Sequence, residues 1–481
     1  MATSILIISI YAVILVVICI RIIFYSETPS KALGYLLLVV FLPIFGVLVY
    51  FSVGLNYRKK KLYRKKLEID DLAYPKLSQK LFDYTYDTLL NNQEKIGYFY
   101  RLATYSERKN LTSANNTASL LVNGEMKFPD VFASIKNAKH HIHIEYYIYE
   151  NDNIGEQLAQ LLIQKAREGV QVRFIYDDFG SRKIRKNIVR QMKEAGVEAY
   201  PFYKVKLVML ANRLNYRNHR KIIIIDGYIG YIGGINVSDK YINQQKSKVF
   251  WRDTHLKIVG TSVVNVQFVF LTDWNFCANQ TISFSDDYFP VVNESKPYGN
   301  QLVQVISSGP DSKYPSIKYT LIQAILRAKH KILITTPYFI PDKSFLDAIL
   351  IAAISGVNVK LLMPGISDSF IVNTTSQSYY QELLDAGVEI YTYTKGFVHA
   401  KTMVCDEKLA IIGTANLDNR SFDLNFEINA MVFDEIIAKD LAEIFNQDIS
   451  ISRQIFSEEW RKRPLHRKFT ERLFNLFSSL M

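Results

Sequence analysis

Two uncharged apolar runs open the chain. Residues 4–20 (SILIISIYAVILVVICI) and 32–57 (ALGYLLLVVFLPIFGVLVYFSVGLNY) hold no charged side chain. A helix needs about 20 apolar residues to cross ~30 Å of hydrocarbon. The second run is long enough with some tilt, and the first becomes so by including residues 22–25, with Arg21 reaching to an interface. The pattern predicts two transmembrane helices joined by the short loop at residues 26–31. Pro43 kinks the second, which a bilayer helix tolerates. A cleavable signal peptide needs a basic start and a small-residue cleavage site. Neither is present, and a second apolar run follows directly.

Residues 58–115 are polar and partly helix-like, with no catalytic motif. From about residue 116 the pattern becomes apolar run, amphipathic stretch, apolar run, as in HIHIEYYIY, IGEQLAQLLIQKAREG and VQVRFIY. That alternation predicts βαβ units around a sheet, an α/β fold. The pattern also repeats. Ala138-Lys139-His140 returns as Ala328-Lys329-His330. Gly169-Val170-x-Val172 returns as Gly356-Val357-x-Val359, and Ala195-Gly196-Val197-Glu198 as Ala386-Gly387-Val388-Glu389. The expected division is a membrane hairpin over 1–57, a basic juxtamembrane linker and helical region over 58–115, and two repeats over 116–295 and 296–481. The two halves can pack across a pseudo-two-fold axis.

Charge alters this picture in one respect. The 481 residues carry a net +12. Residues 58–66 (RKKKLYRKK) and the tail at 461–472 account for all of it, so the remainder is neutral. A nucleic-acid binder spreads its positive charge over a groove-facing surface. Two short clusters, one beside an apolar segment, suit an anionic lipid surface, and no nucleic-acid partner is expected. The run after the second apolar segment places the rest of the chain in the cytoplasm. Cys19, Cys277 and Cys405 are scattered, with no metal or disulfide spacing. An apolar content of 49% excludes a disordered chain.

The chemistry lies at one offset in both repeats. His219-x-Lys221-x4-Asp226 and His399-x-Lys401-x4-Asp406 stand 180 positions apart, and each continues into a matching tail, Gly233-Gly234-Ile235-Asn236 and Gly413-Thr414-Ala415-Asn416. On a strand, His and Lys at i and i+2 share a face. Two copies facing each other offer two imidazoles and two ammoniums around one pocket, a set suited to a phosphodiester. The cations neutralise non-bridging oxygens, one neutral imidazole attacks phosphorus, and the other, protonated, donates to the leaving oxygen. Small residues at 233–234 and 413–414 allow close backbone approach, and Asn236 and Asn416 can donate to phosphate oxygens. Each imidazole needs a partner to fix its tautomer. Asp253, 34 residues after His219, and Glu427, 28 after His399, are the candidates, because each is a carboxylate in an apolar strand-like segment. His140, His141, His143 and His330 read as structural, since no carboxylate or Cys completes a ligand set with them. His255 can line the pocket. Nothing calls for a metal or a nucleotide cofactor.

These paired motifs resemble the phospholipase D superfamily. Their surroundings, including Tyr176-Asp177-Asp178-Phe179-Gly180-Ser181, Arg217-Asn218-His219, Phe250-Trp251-Arg252-Asp253 and Arg420-Ser421-Phe422-Asp423, look like bacterial cardiolipin synthases, as does the N-terminal hairpin. The resemblance implies two pseudo-symmetric α/β/α repeats with facing sheets. It implies a phosphatidyltransferase that converts two phosphatidylglycerol molecules into cardiolipin and glycerol through a phosphatidyl-histidine, reversibly and without a cofactor. It makes His219, Lys221, Asp226, His399, Lys401 and Asp406 the catalytic motifs. His219 attacks and His399 acts as acid and base. Lys221, Lys401, Asn236 and Asn416 hold the phosphate, Asp253 and Glu427 orient the histidines, and Asp226 and Asp406 pin the motif strands.

The same site type also serves a phospholipase D hydrolase, a phosphatidylserine synthase or a nuclease, and a non-catalytic membrane scaffold is a further alternative. The first repeat is longer than the second. Gly196 lies 23 positions before His219, whereas Gly387 lies 12 before His399. The extra length, at residues 205–214, is apolar and basic and is expected to dip into the lipid interface and guide lipid to the pocket.

Overall fold

The structure, a computed structural model, describes residues 2–26, 29–53, 85–103, 112–203, 216–243, 249–278, 280, 282, 286–290, 296–476 and 478. The chain divides into two compact units, Met1–Glu68 with Val205–Tyr216, and Ile69–Lys204 with Arg217–Met481.

In the first unit, α1 spans Ala2–Tyr25, α2 Pro29–Phe41 and α3 Pro43–Val53. The second apolar run is thus divided at Pro43, whose ring removes a helical N–H donor. Ile18, Ile22, Val39 and Tyr50 pack together, while Val13, Val17, Phe24, Leu37, Phe41 and Ile44 face outward. Among the described residues no helix is long and apolar enough to cross a membrane. The side chains of α1 are described only over residues 9–25, and α2 and α3 have 13 and 11 residues. The basic run at 58–66 and the apolar stretch at 205–214 lie outside the described residues.

In the second unit, fifteen strands among the described residues form one sheet. The first repeat supplies β1 (Thr112–Val122), β2 (His141–Tyr146), β3 (Gln171–Tyr176), β4 (Glu198–Pro201), β5 (Lys221–Ile225), β6 (Ile229–Gly233) and β7 (Thr254–Gly260). The second supplies β8 (Gln301–Ser308), β9 (Lys331–Thr335), β10 (Asn358–Pro364), β11 (Glu389–Tyr393), β12 (Thr402–Cys405), β13 (Leu409–Gly413), β14 (Glu427–Phe433) and β15 (Ser452–Ile455). Their order is β15-β11-β10-β9-β12-β13-β14-β8-β1-β7-β6-β5-β2-β3-β4. Apart from the edge strand β15, it reads the same from either end about the β8–β1 junction, as a duplicated unit should. The two facing sheets expected from the repeats are in addition continuous with one another. The sheets are one ladder joined by antiparallel pairing of β1 with β8, with a register shift between Ser113 and Asn116. The ladder folds back so that β13 packs against β6 and β7, and β14 against β6.

Local sequence explains these elements. The four isoleucines 222–225 are buried and β-branched, which suits a strand covered on both faces. Helix Asn153–Arg167 starts where the Asp152 carboxylate accepts from the Gly155 N–H, and it buries Ile154, Leu158, Ala159, Leu162 and Ile163 along one stripe. The repeated glycines follow helices in the left-handed region, with φ of 89° at Gly169, 92° at Gly196 and 91° at both Gly356 and Gly387. Each repeat has its own apolar core between sheet and helices.

The motif aspartates lie at the far end of their strands from the histidines. Asp226 accepts from the backbone N–H groups of Lys139 (2.9 Å), His140 (2.8 Å) and His141 (3.0 Å). Asp406 accepts from those of Lys329 (2.8 Å), His330 (2.8 Å) and Lys331 (2.7 Å), and from the Tyr98 hydroxyl. The echoed Ala-Lys-His segments are therefore the places where each aspartate ties its motif strand to the neighbouring one. Replacing Asp226 by Ala orphans three backbone donors and should cost about 2 kcal/mol. We expect Asp226→Ala to lower the thermal unfolding midpoint while the folded fraction keeps its turnover. Normal melting with lost turnover would instead give the carboxylate a chemical role.

Candidate active site

The two motifs approach one another through exchanged backbone pairing. The His219 N–H donates to the Phe426 carbonyl (3.0 Å), and the Phe426 N–H to the Arg217 carbonyl (2.8 Å). In the other half, the short strand Gly396–Val398 runs parallel to Phe250–Arg252, and the His399 N–H donates to the Arg252 carbonyl (2.7 Å). Each histidine segment thus lies beside the residues that precede the other repeat's carboxylate. Both histidines fall just before their strands rather than within them.

The side chains follow this exchange. His219 Nδ1 lies 2.9 and 3.0 Å from the two carboxylate oxygens of Glu427, and His399 Nδ1 lies 2.7 Å from Asp253 Oδ2. Sequence spacing sets each carboxylate after the histidine of its own repeat, but the structure pairs them across repeats. Glu427 also accepts from the Thr414 hydroxyl (2.6 Å), and Asp253 from the Thr254 N–H (2.7 Å). The small residues in the tails serve these carboxylates. A Cβ on Gly234 would collide with Asp253, and Thr414, its counterpart, spends its side chain on Glu427.

All these groups are buried, and burial sets their protonation. It pulls His219 down to about 4 against the opposing pull of Glu427, and His399 well below its ordinary value. Asp253 is pushed up to about 6 by burial, which the nearby Lys401 opposes. In Glu427 the His219 contact and Lys221 overcome burial and hold the carboxyl below its usual range. Near pH 7 both carboxylates are therefore mainly ionised and accept from an Nδ1–H. The Nε2 lone pair of each neutral imidazole is left for other chemistry. Lys221 Nζ donates to the His219 carbonyl (2.6 Å), and Lys401 Nζ to that of His399. Burial lowers Lys221 to about 7 and Lys401 to about 8.

A cavity of about 480 Å³ receives His219 and His399 together with Asn236 and Asn416. Lys221 and Lys401 stand behind the histidines, not on its wall. Asn416 Oδ1 is buried without a hydrogen bond, while Asn236 donates to the Tyr241 hydroxyl (2.7 Å) and accepts from the Ile148 N–H (3.3 Å). Asp226 and Asp406 do not reach the cavity. Neither does His255, contrary to expectation: its Nδ1 accepts from the Ile235 N–H (3.3 Å) in the core. His141 and His143 are buried against Gln267. Among the described residues no cluster of His, Cys, Asp or Glu could hold a metal.

The family described as "Cardiolipin synthase, PLD-like domain" matches residues 131–260 and 321–449, and "Phospholipase_D-nuclease N-terminal" matches residues 8–54. The chain belongs to the cardiolipin synthase family. It is 39% identical to the major cardiolipin synthase of Bacillus subtilis (strain 168), over 100% of both chains. It is 40% identical to cardiolipin synthase 2 of Bacillus anthracis, over 95% of this chain and 88% of the relative. The crystal structure of phosphatidylserine synthase from Haemophilus influenzae Rd KW20 superposes with a TM-score of 0.57 at 13% identity. It covers 76% of this chain and 95% of that one, and it shares the fold.

In this family member the cavity wall carries residues that motif spacing alone did not single out. The Tyr147 ring lies 4.8 Å from that of His219, and Trp251 and Tyr241 lie 5.8 and 5.9 Å from His399. Arg217, Lys240 and Arg420 add positive charge to the wall. A signal for two of them exists: Asn236-x-Ser238-x-Lys240 and Asn416-x-Asp418-x-Arg420 keep the 180-residue register beyond each asparagine. A bound anion keeps both buried lysines protonated, so raising pH through about 7 to 8 should weaken anion binding. Dimethyl phosphate, whose charge is constant in this range, should bind at least roughly tenfold more weakly at pH 9 than at pH 7 by calorimetry. A flat profile would mean that the lysines do not face the anion.

Proposed function

We infer that the chain joins two phosphatidylglycerol molecules into cardiolipin and releases glycerol. The observation that carries this reading is the meeting of one imidazole from each repeat at one cavity, each held at Nδ1 by the other repeat's carboxylate. His219 Nε2 attacks the phosphorus of the first lipid. The P–O bond to glycerol breaks, and the leaving oxygen takes the Nε2 proton of His399. A phosphatidyl group remains on His219. His399, now neutral, removes the proton from the terminal hydroxyl of a second phosphatidylglycerol. That oxygen attacks phosphorus, the P–N bond breaks, and His219 is restored.

Burial keeps both imidazoles neutral. A phosphodiester anion offsets the nearby ammoniums and raises the proton affinity of His399, which charges the acid when substrate is present. Lys221 and Lys401 act from behind the histidines, and Asn236 and Asn416 donate to non-bridging oxygens. Glu427 and Asp253 steady the imidazolium states and set the tautomers. The pairing of His219 with attack and His399 with proton transfer rests on the family resemblance, because the site is nearly symmetric. Asp226 and Asp406 act through the strands.

The outward apolar side chains of α1–α3 and the uncharged runs 4–20 and 32–57 support a membrane anchor, with the repeats on the cytoplasmic side. The division at 57, 115 and 295 follows the same reading.

Purified full-length protein given phosphatidylglycerol vesicles should yield cardiolipin and glycerol in equal amounts. His219→Ala and His399→Ala should each lose roughly 10³-fold or more. Phosphatidic acid as the main product would make the protein a hydrolase and overturn this reading.

A further inference from the structure

The C-terminal helix Leu465–Asn475 lies on the second unit with its polar side inward. Its inner face is fixed by Glu471, which accepts two bonds from Arg463 (2.5 and 3.0 Å), and by Asn475, which accepts from the Tyr379 hydroxyl (3.0 Å). Phe474 packs on Phe370 with ring centroids 6.1 Å apart. At 100° per residue, Leu465, Phe469, Leu473 and Leu476 fall within an arc of about 80° on the opposite side. They are exposed by 81%, 68%, 43% and 76%. A surface helix of a soluble protein points such a stripe at its core. This one points it at solvent, with Lys468 and Arg472 on one flank and His466 on the other.

The neighbouring helix, Phe370–Gln377, continues the surface. Phe370 and Ile371 are exposed by 72% and 45%, while Ser369 and Val372 line the catalytic cavity. The apolar surface and the mouth of the pocket are therefore joined through one turn of helix. The segment 461–472 holds six basic residues and one acid, and that acid, Glu471, is already spent on Arg463. An apolar stripe with basic flanks matches an anionic bilayer surface, in which the stripe enters the acyl boundary and the cations meet headgroup phosphates.

We propose that helix Leu465–Asn475, with Phe370 and Ile371, docks the catalytic unit onto the anionic membrane interface and sets the pocket mouth against the lipid from which substrate is drawn. The proposal rests on the lipid chemistry inferred above, but its direct test does not need turnover. Full-length Phe469→Trp protein is reconstituted in vesicles of phosphatidylcholine with half phosphatidylglycerol, after the native tryptophans have been recorded as background. The added tryptophan should shift to the blue and be quenched by brominated phosphatidylglycerol. An unshifted, unquenched signal overturns the docking.

A second comparison uses Leu465→Asp/Phe469→Asp/Leu473→Asp, three exposed positions whose change leaves the core intact. The ratio of activity on vesicle phosphatidylglycerol to activity on monomeric dihexanoyl phosphatidylglycerol should fall at least about tenfold. An equal ratio contradicts the proposal. So does conversion of a detergent-solubilised dimer to a monomer by the triple change with no quenching at position 469, which would make the stripe a contact between copies. If the unsubstituted protein makes no cardiolipin from either substrate, the inferred reaction fails, while the quenching result still decides the docking.

Discussion

The structure depends on an exchange of carboxylates between two halves of one chain. Glu427 and Asp253 are fully buried, and a buried carboxylate without a partner costs several kcal/mol. Each finds its partner in the histidine of the opposite repeat. Backbone pairing brings the partners together: Phe426 pairs with Arg217 and His219, and Arg252 with His399. Neither repeat alone holds an imidazole with a fixed tautomer. The duplication therefore makes a single composite site instead of two weak ones, and the continuous sheet through β1 and β8 holds its halves in register.

The same burial that makes the carboxylates need partners makes the cations available. Lys221 and Lys401 are enclosed, each with its Nζ donating to its own histidine's carbonyl and with the carboxylates of Glu427 and Asp253 nearby. Their lowered proton affinity reflects burial, against the opposing pull of Glu427 and Asp253. A phosphate anion in the adjoining cavity offsets that penalty by favouring the ammonium forms. Arg217, Lys240 and Arg420 extend that positive wall outward.

Much of this was legible in the sequence, for reasons particular residues show. The two H-x-K-x4-D motifs stand in register because the β5 and β12 turns do the same work. The Ala-Lys-His echo reflects the backbone donors that Asp226 and Asp406 tie down, and the Gly-Val echo reflects left-handed positions after helices. What spacing could not supply was partnership. Asp253 and Glu427 are visible as costly carboxylates, but their exchange across repeats is a long-range consequence of parallel pairing by residues 250–252 with 396–398 and by Asn218 with Phe426. His255 looked like a pocket residue because it lies two positions from Asp253, yet its ring turns into the core. The single ladder was hidden because strand pattern gives faces, not edge partners. At 465–476 the sequence shows only charge, since the outward turn of the apolar stripe depends on which side Glu471 and Asn475 are anchored.

The central claim is that one site is shared by both halves, and the most direct measurement is the stoichiometry and position of the covalent intermediate. Full-length protein is mixed with phosphatidylglycerol, quenched within a turnover and examined by mass spectrometry of intact chains and their peptides. One phosphatidyl group per chain at saturation, attached to His219 and never accompanied by a second on His399, is the predicted result. Chains carrying two adducts, one on each histidine, would show two independent sites and contradict the account.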